Sequence, residues 1–144
     1  MGFNNHQWTM SSWFCCPSGS QHQSSVVVPN IPLNSFIQGT MYQPGPDMWQ
    51  IVSEVHLHHV VLTAKTPRVF NWLDATLETY DITSCKDFPS GAFEFYNIEA
   101  TNSAAKQLPI SWLNDHPEGT MCGGKMTIYN AKEIGITHDP NGNL

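Results

Sequence analysis

Three side chains near the middle of the chain have the types and spacing of a metal site. Glu54, His56 and His58 alternate within Met48–Thr63, MWQIVSEVHLHHVVLT, and alternate residues of a β-strand lie on one face. Imidazole and carboxylate groups are ligands for zinc, iron and copper. His59 has the opposite parity and is excluded from that face. The pattern predicts either a row of metal ligands or the polar face of a structural strand.

A complete metal site would need one or two further ligands from elsewhere in the chain. Four side chains of suitable type are available, but their spacing selects none of them: Asp115, His116, His138 and Asp139. The other interpretation needs no further ligand, because a polar strand face can meet water or another subunit. We therefore take the structural strand as the main hypothesis and a metal site at Glu54, His56 and His58 as the alternative.

Catalytic motifs are absent from the sequence. It contains no Gly-x-Ser-x-Gly elbow, no phosphate-binding P-loop and no GxGxxG. Cys122 could act as a nucleophile only if the fold brought His116 to it, and Glu94 and Glu99 could act as acid and base only beside other carboxylates. We predict that the protein is not an enzyme and has no cofactor.

The composition excludes some classes of partner. Six Lys and Arg against twelve Asp and Glu give a net charge of −6, with no basic cluster to bind phosphates. No apolar run approaches the roughly 18 residues of a membrane span. Only 12% of the residues are charged, about half the usual share, and neutral polar groups take their place. Such surfaces suit proteins covered by other subunits, and also glycan-binding folds.

Five aromatic side chains could form a sugar-binding platform or belong to the core, and their spacing favours the core. They are Trp49, Trp72, Tyr96, Trp112 and Tyr129.

The cysteines form no CxxC, which disfavours a zinc knuckle or a thioredoxin-like motif. Cys15 and Cys16 are adjacent and are not expected to bond each other. Pairing of either one with Cys85 or Cys122 would require an oxidising compartment. The N-terminus lacks the pattern of a signal peptide, so we expect reduced thiols, and the location in the cell stays open.

The order of elements predicts an all-β fold, a single β-barrel or sandwich with one short helix near residues 67–74. Thr66-Pro67 is a helix-start signal, and the turn at Gln43–Asp47 predicts a hairpin into the long strand. The other predicted strands are Val26–Val28, Phe36–Tyr42, Thr76–Thr83, Ala92–Ala100, Leu108–Leu113 and Lys125–Thr137.

Residues 1–25 are polar but carry five large apolar side chains, Phe3, Trp8, Met10, Trp13 and Phe14. This predicts an N-terminal arm, followed by a single β domain over residues 26–144. The arm either docks on a neighbouring subunit or folds back over its own core.

Three short segments resemble the Hcp-type tube proteins of type VI secretion, which are relatives of phage tail-tube proteins. Thr66-Pro67 leads into a helix ending near Leu73, Ser90–Glu99 resembles the family's SGxxE strand, and Glu133–His138 resembles its late strand ending in Thr-His. The segments come in the family's order and lie within about residues 55–138. The acidic-Lys pair before Thr66 and the tryptophan before Thr137 are missing.

The resemblance implies a small β-barrel that stacks as hexameric rings into a tube, with subunits joined through sheet edges. We therefore predict a self-assembling structural subunit of a tail tube, an injection tube or a virion, whose partners are copies of itself. Two alternatives remain open. One is a metal-binding β-barrel protein or enzyme with the E-x-H-x-H strand, and the other is a glycan-binding β-sandwich.

Overall fold

The computed structural model describes residues 2–4, 7–15, 23–70, 73–75, 78–80, 83–88, 91–114 and 121–142. The chain divides into two compact units, Met1–Asp74 and Ala75–Leu144. The described strands form small antiparallel sheets, and no described helix exceeds three residues. The prediction of an all-β fold is confirmed. None of the described sheets closes into a barrel.

The described part of the first unit holds eight strands. The sheet orders within it are β5-β2-β1, β3-β4 and β6-β7-β8. The strands are β1 Gly2–Asn4, β2 Gln7–Met10, β3 Trp13–Phe14, β4 Gln23–Ser24, β5 Val28–Ile31, β6 Gln38–Gly45, β7 Met48–Val55 and β8 His58–Lys65.

Strand β8 shows most clearly which side of the β6-β7-β8 sheet is buried. Val60, Leu62 and Ala64 are buried, while the residues between them are exposed. This is the alternation of a strand with one face on a core. Opposite these three residues, β7 places Ser53, Ile51 and Trp49, so one face of the sheet belongs to the core of this unit.

The hairpin predicted around Gln43–Asp47 is confirmed. Gly45 pairs with Met48, and Pro46 and Asp47 form the two-residue turn between β6 and β7. Asp47 has a φ of 55°, so a proline at the first turn position is followed by a residue in the left-handed region, the sign pattern of a type II turn. Pro44 is tolerated within β6 because the strand lies at the sheet edge and the pairing register shifts there.

The N-terminal residues contribute to the first unit's core. Strand β2 pairs with β5, and the side chains of Trp8, Met10 and Ser12 are buried. The Ser12 hydroxyl lies 3.0 Å from that of Ser53. Burial of these side chains supports the interpretation in which this segment folds back over its own chain. The boundary at residue 25 stays a prediction.

The strand predicted at Val26–Val28 is displaced toward the C-terminus. Strand β5 begins at Val28 and runs through Pro29, because it lies at the sheet edge and its register against β2 shifts between Met10 and Trp8. Pro29 therefore does not end the strand as the sequence predicted.

The prediction of a helix near residues 67–74 is wrong for the residues that are described there, 67–70 and 73–74, none of which is helical. The expected cap does form, since the Thr66 hydroxyl accepts the Arg68 N–H at 3.2 Å. Residues 67–70 are nevertheless not helical, because the Arg68 carbonyl accepts the Trp49 indole N–H and Phe70 packs edge-on against the Trp49 ring. Tertiary contacts with β7 outweigh a local start signal.

The second unit contains β9 Glu78–Tyr80, β10 Phe93–Phe95, β11 Lys125–Asn130 and β12 Glu133–Thr137, with 3-10 helices at Cys85–Asp87 and Met121–Gly123. The sheet order β10-β12-β11 is antiparallel. Ile134, on the central strand, is fully buried.

Three strand predictions change in this unit. Lys125–Thr137 is a hairpin, β11 and β12, and not one strand, because Asn130 supplies a turn: its side-chain oxygen accepts the Lys132 N–H at 2.8 Å. Ala92–Ala100 shortens to β10, which ends before Asn97 at φ 56°. Leu108–Leu113 forms no strand. Strand β9 lies within the predicted Thr76–Thr83, whose residues 76–77 and 81–82 are outside the described residues.

The expectation of reduced thiols is wrong. Cys85 and Cys122 form a disulfide with their Cα atoms 5.4 Å apart, and Cys15 is also disulfide-bonded. The bond joins the two 3-10 helices of the second unit. The sequence allows this pairing but does not select it, because cysteines 37 positions apart meet only when the fold brings them together.

Within the described residues, no helix has the length and hydrophobicity needed to cross a membrane.

We predict that the variant Cys85→Ala/Cys122→Ala lowers the stability of the second unit by about 2–4 kcal/mol, because it opens a loop of 37 residues in the unfolded chain. Faster hydrogen exchange of the β12 amides would report the loss. Cys15→Ala, in the first unit, is the control and should leave that exchange unchanged. Unchanged exchange in the double variant would contradict the prediction.

A second prediction concerns acid. The pKa of Asp87 falls from 3.8 to about 2, because its carboxylate accepts hydrogen bonds from the Thr83 hydroxyl and N–H and from the Ser84 N–H. A lowered pKa stabilises the folded state above pH 4, and this contribution disappears as the pH falls toward 2. Asp87→Asn should remove that part of the pH dependence, measured by denaturation between pH 2 and 5. In carboxyl NMR, Thr83→Val should raise the pKa of Asp87, and titration of the parent protein at the ordinary value would contradict this account.

Candidate functional site

The histidine-rich segment is a hairpin and not one strand. Strand β7 ends at Val55 and β8 begins at His58, so His56 and Leu57 form a two-residue turn. His56 has a φ of 50°, the left-handed region that a first turn position of this kind requires. The prediction of a single strand over Met48–Thr63 is therefore wrong. The sequence does not reveal the turn, because β-forming residues occupy both arms and the turn contains neither Gly nor Asn.

The hairpin changes which side chains meet. Glu54 pairs across the strands with His59, and the His59 Nδ1 lies 2.5 Å from a Glu54 carboxylate oxygen. Parity along one strand had excluded His59, but the turn reverses the chain, so positions 54 and 59 share a face. Both side chains are about half exposed, and this limits the strength of the pair.

The other two predicted ligands lie elsewhere. His56 is at the turn, where its Nε2 lies 3.0 Å from the Ser35 hydroxyl. His58 pairs with Val55 and so occupies the face opposite Glu54. The one-face arrangement of Glu54, His56 and His58 is therefore wrong. Among the described residues, no three His, Cys, Asp or Glu side chains are placed to hold a metal ion.

The candidate further ligands divide into two groups. Asp115 and His116 lie outside the described residues. In the second unit, the His138 ring packs against Phe88 with ring centres 5.0 Å apart, and the Asp139 side chain accepts the Asn141 N–H at 2.8 Å. The metal hypothesis stays a prediction without its original geometric basis.

The groups considered for catalysis have other roles. Cys122 is held in the disulfide and offers no thiolate. The Glu99 carboxylate lies 2.5 Å from the Lys132 ammonium. Glu94 is exposed on β10, opposite Gly135. Gly123, the last residue of the 3-10 helix Met121–Gly123, has a φ of 61°, which glycine adopts without strain.

The aromatic side chains considered for a platform are dispersed. Trp49 packs on Phe70, and the Trp112 indole donates to the Ala131 carbonyl at 3.0 Å. Tyr96 and Tyr129 are about half exposed in the second unit. Trp72 lies outside the described residues.

The first unit exposes a second feature, the outer face of the β6-β7-β8 sheet. We use this name for the face opposite Val60, Leu62 and Ala64. Its three strands are linked by side chains: the Tyr42 hydroxyl donates to Gln50, and the Gln50 amide donates to the Thr63 hydroxyl at 3.4 Å. Neutral polar groups form this ladder, which ties β6 to β7 and β8 and fixes the position of β6.

Strand β6 itself is open. Seven of its eight residues are exposed, so neither of its faces is covered. In the described part of the chain, β7 is the only strand that pairs with it. We call the side of β6 that points away from β7 the β6 edge. The sequence QGTMYQPG carries no charge, and this absence of charge was the signal from which the edge could have been found.

We predict that a double-mutant cycle of Glu54→Ala with His59→Ala gives a coupling energy of about 0.5 kcal/mol, as expected for an exposed cross-strand pair. Chemical denaturation of the four proteins provides the measurement. The matched cycle of Glu54→Ala with His58→Ala should give none, because these side chains lie on opposite faces. A coupling energy between Glu54 and His58, with none between Glu54 and His59, would contradict the hairpin and support a single strand.

Comparison with family models, with curated proteins and with solved structures finds no match to this chain. The similarity to Hcp-type tube proteins therefore stays a resemblance of three short segments.

Proposed function

We propose that this protein is a non-enzymatic structural subunit that assembles with copies of itself through the β6 edge. The observation that carries the proposal is an eight-residue edge strand, exposed on both faces and uncharged along its whole length. Its outward N–H and C=O groups are a template for pairing with another strand.

The β6 edge lacks the charged side chains that usually protect an edge strand. Natural proteins place lysine, inward-pointing charges, proline or β-bulges on exposed edges to prevent association. Here Pro44 and the register shift between Tyr42 and Gly45 lie near the C-terminal end of β6, and the residues before them, from Gln38, leave a stretch for pairing. An edge of this length without charge favours association over solubility.

Charge supports a second copy of the chain as the partner. Each copy carries a net charge of −6, so two copies repel over most approaches. The repulsion is weakest where no charged side chain lies in the contact, and β6 provides such a strip. Identical uncharged strands also satisfy each other's backbone groups without leaving a charge unpaired.

The second unit offers a different edge that would allow growth beyond a dimer. Strand β11 lies at the end of its sheet, with Ile128 and Tyr129 exposed. Pairing of β6 in one copy with β11 in the next is head-to-tail, and a head-to-tail contact builds rings or open filaments. Rings stacked into an injection tube, a tail tube or a virion component are the setting that the Hcp-type resemblance implies.

The test measures particle size by sedimentation velocity at increasing protein concentration and images the particles by negative-stain microscopy. We expect rings or larger assemblies in equilibrium with smaller species. A protein that stays monomeric at high concentration would overturn the proposal.

Proline substitutions locate the contact. Successive N–H groups of an antiparallel strand point to opposite sides, so one of Thr40 and Met41 directs its N–H to β7 and the other to the β6 edge. One of the variants Thr40→Pro and Met41→Pro should therefore keep the fold and abolish assembly. Leu33→Pro is the matched control, because Leu33 is exposed in a turn whose next residue, Asn34, has a φ of 60°. Assembly that survives both β6 variants would place the contact elsewhere.

A further inference from the structure

A polar groove of about 490 Å³ lies in the second unit, between the end of β10 and the turn that joins β11 to β12. Its volume falls within the range of small-molecule sites in proteins. Among the described residues, it is lined by Glu94, Tyr96, Asn97, Asn130, Lys132 and Glu133.

A backbone hydrogen bond joins the two walls of the groove, and further hydrogen bonds fix the turn that forms one of them. The Ile98 N–H donates to the Lys132 carbonyl at 3.1 Å, which joins the segment after β10 to the β11–β12 turn. Within that turn, the Asn130 side chain accepts the Lys132 N–H and donates to the Glu133 carboxylate at 3.1 Å. On the other wall, Asn97 ends β10 with a φ of 56° and so directs the chain away from the strand. The groove is largely formed before a ligand arrives, which lowers the cost of binding.

From this lining we infer that the groove binds a neutral saccharide. The two carboxylates and two amides offer hydrogen-bond acceptors and donors in planar groups, and sugar hydroxyls both donate and accept. The Tyr96 side chain, 48% exposed, supplies an aromatic surface on which the C–H face of a pyranose ring can pack. An apolar ligand would leave these polar groups without partners, which is costly.

Charge decides between neutral and ionic ligands. The carboxylates of Glu94 and Glu133 disfavour phosphates, sulfates and acidic sugars. The Lys132 ammonium lies 2.5 Å from the Glu99 carboxylate, so its charge is already compensated. A cationic ligand would find only the Glu94 carboxylate uncommitted among the described lining residues, because the Glu133 carboxylate already accepts a hydrogen bond from Asn130. A neutral polyhydroxylated ligand meets no such opposition.

This inference does not rest on assembly through the β6 edge, because β6 belongs to the other unit of the chain. Among the described residues, the groove shares only Asn130, the last residue of β11, with the proposed head-to-tail contact. The experiment is an NMR titration of the ¹⁵N-labelled chain with neutral trisaccharides of glucose, mannose and N-acetylglucosamine. We expect at least one of them to give saturable shifts at the amides of Tyr96, Asn97 and Lys132. Tyr96→Ala should weaken that binding about tenfold or more, as loss of a central aromatic contact does.

A second variant and a control distinguish a loss of ligand contacts from a disturbance of the fold. Glu94→Ala changes an exposed side chain and should also weaken binding, so the test stands if Tyr96→Ala disturbs the end of β10. Leu113→Ala is the control, because this side chain belongs to the same unit, is 85% exposed and does not line the groove. It should leave the affinity unchanged within about twofold.

Three results would overturn the inference. One is the absence of saturable shifts with every trisaccharide at its solubility limit. Another is binding that neither Tyr96→Ala nor Glu94→Ala weakens. The third is tighter binding of the cationic deacetylated trimer of N-acetylglucosamine, or of an acidic trisaccharide, than of the neutral form.

Discussion

The first unit depends on the register in which β7 pairs with β8 across the turn at His56 and Leu57. That register directs Val60, Leu62 and Ala64 into the core, and it places Glu54 beside His59 on the outer face. A slip of one residue would exchange the two faces of β8 and bury charged and polar groups. Strand β6 joins the sheet through the Pro46–Asp47 turn, so the same register determines where the open edge lies.

Neutral polar side chains outnumber charged ones both on the outer face of the β6-β7-β8 sheet and along the β6 edge. The side-chain ladder Tyr42–Gln50–Thr63 gives the outer face a network of neutral hydrogen bonds beside the Glu54–His59 pair. Neutral polar groups cost less to remove from water than charges do. A sheet built in this way can meet another sheet edge without a large desolvation penalty, and its uncharged edge offers little resistance to pairing. These properties together are the basis on which we propose assembly.

The second unit also contains a hairpin, formed by β11 and β12, but its turn is stabilised in a different way. Its β11–β12 turn is stabilised by Asn130 and not by a left-handed residue. The groups that fix this turn also form one wall of the groove. The Cys85–Cys122 disulfide closes a separate part of the unit, where few large side chains are buried among the described residues. A covalent link is a common substitute for a core in a small unit.

The sequence by itself determined the all-β class, the Pro46–Asp47 turn and the low share of charged residues, because each depends on composition or on residues close together in the chain. It did not distinguish a long strand from a hairpin at Met48–Thr63 or at Lys125–Thr137, since neither turn contains Gly or Pro and strand-forming residues continue through both. Tertiary structure decided the non-helical conformation of residues 67–70 and 73–74, the partners of Glu54 and Cys85, and the open β6 edge. The physical reason is that pairing across space, which local patterns do not specify, determines which backbone and side-chain groups are satisfied and which stay available.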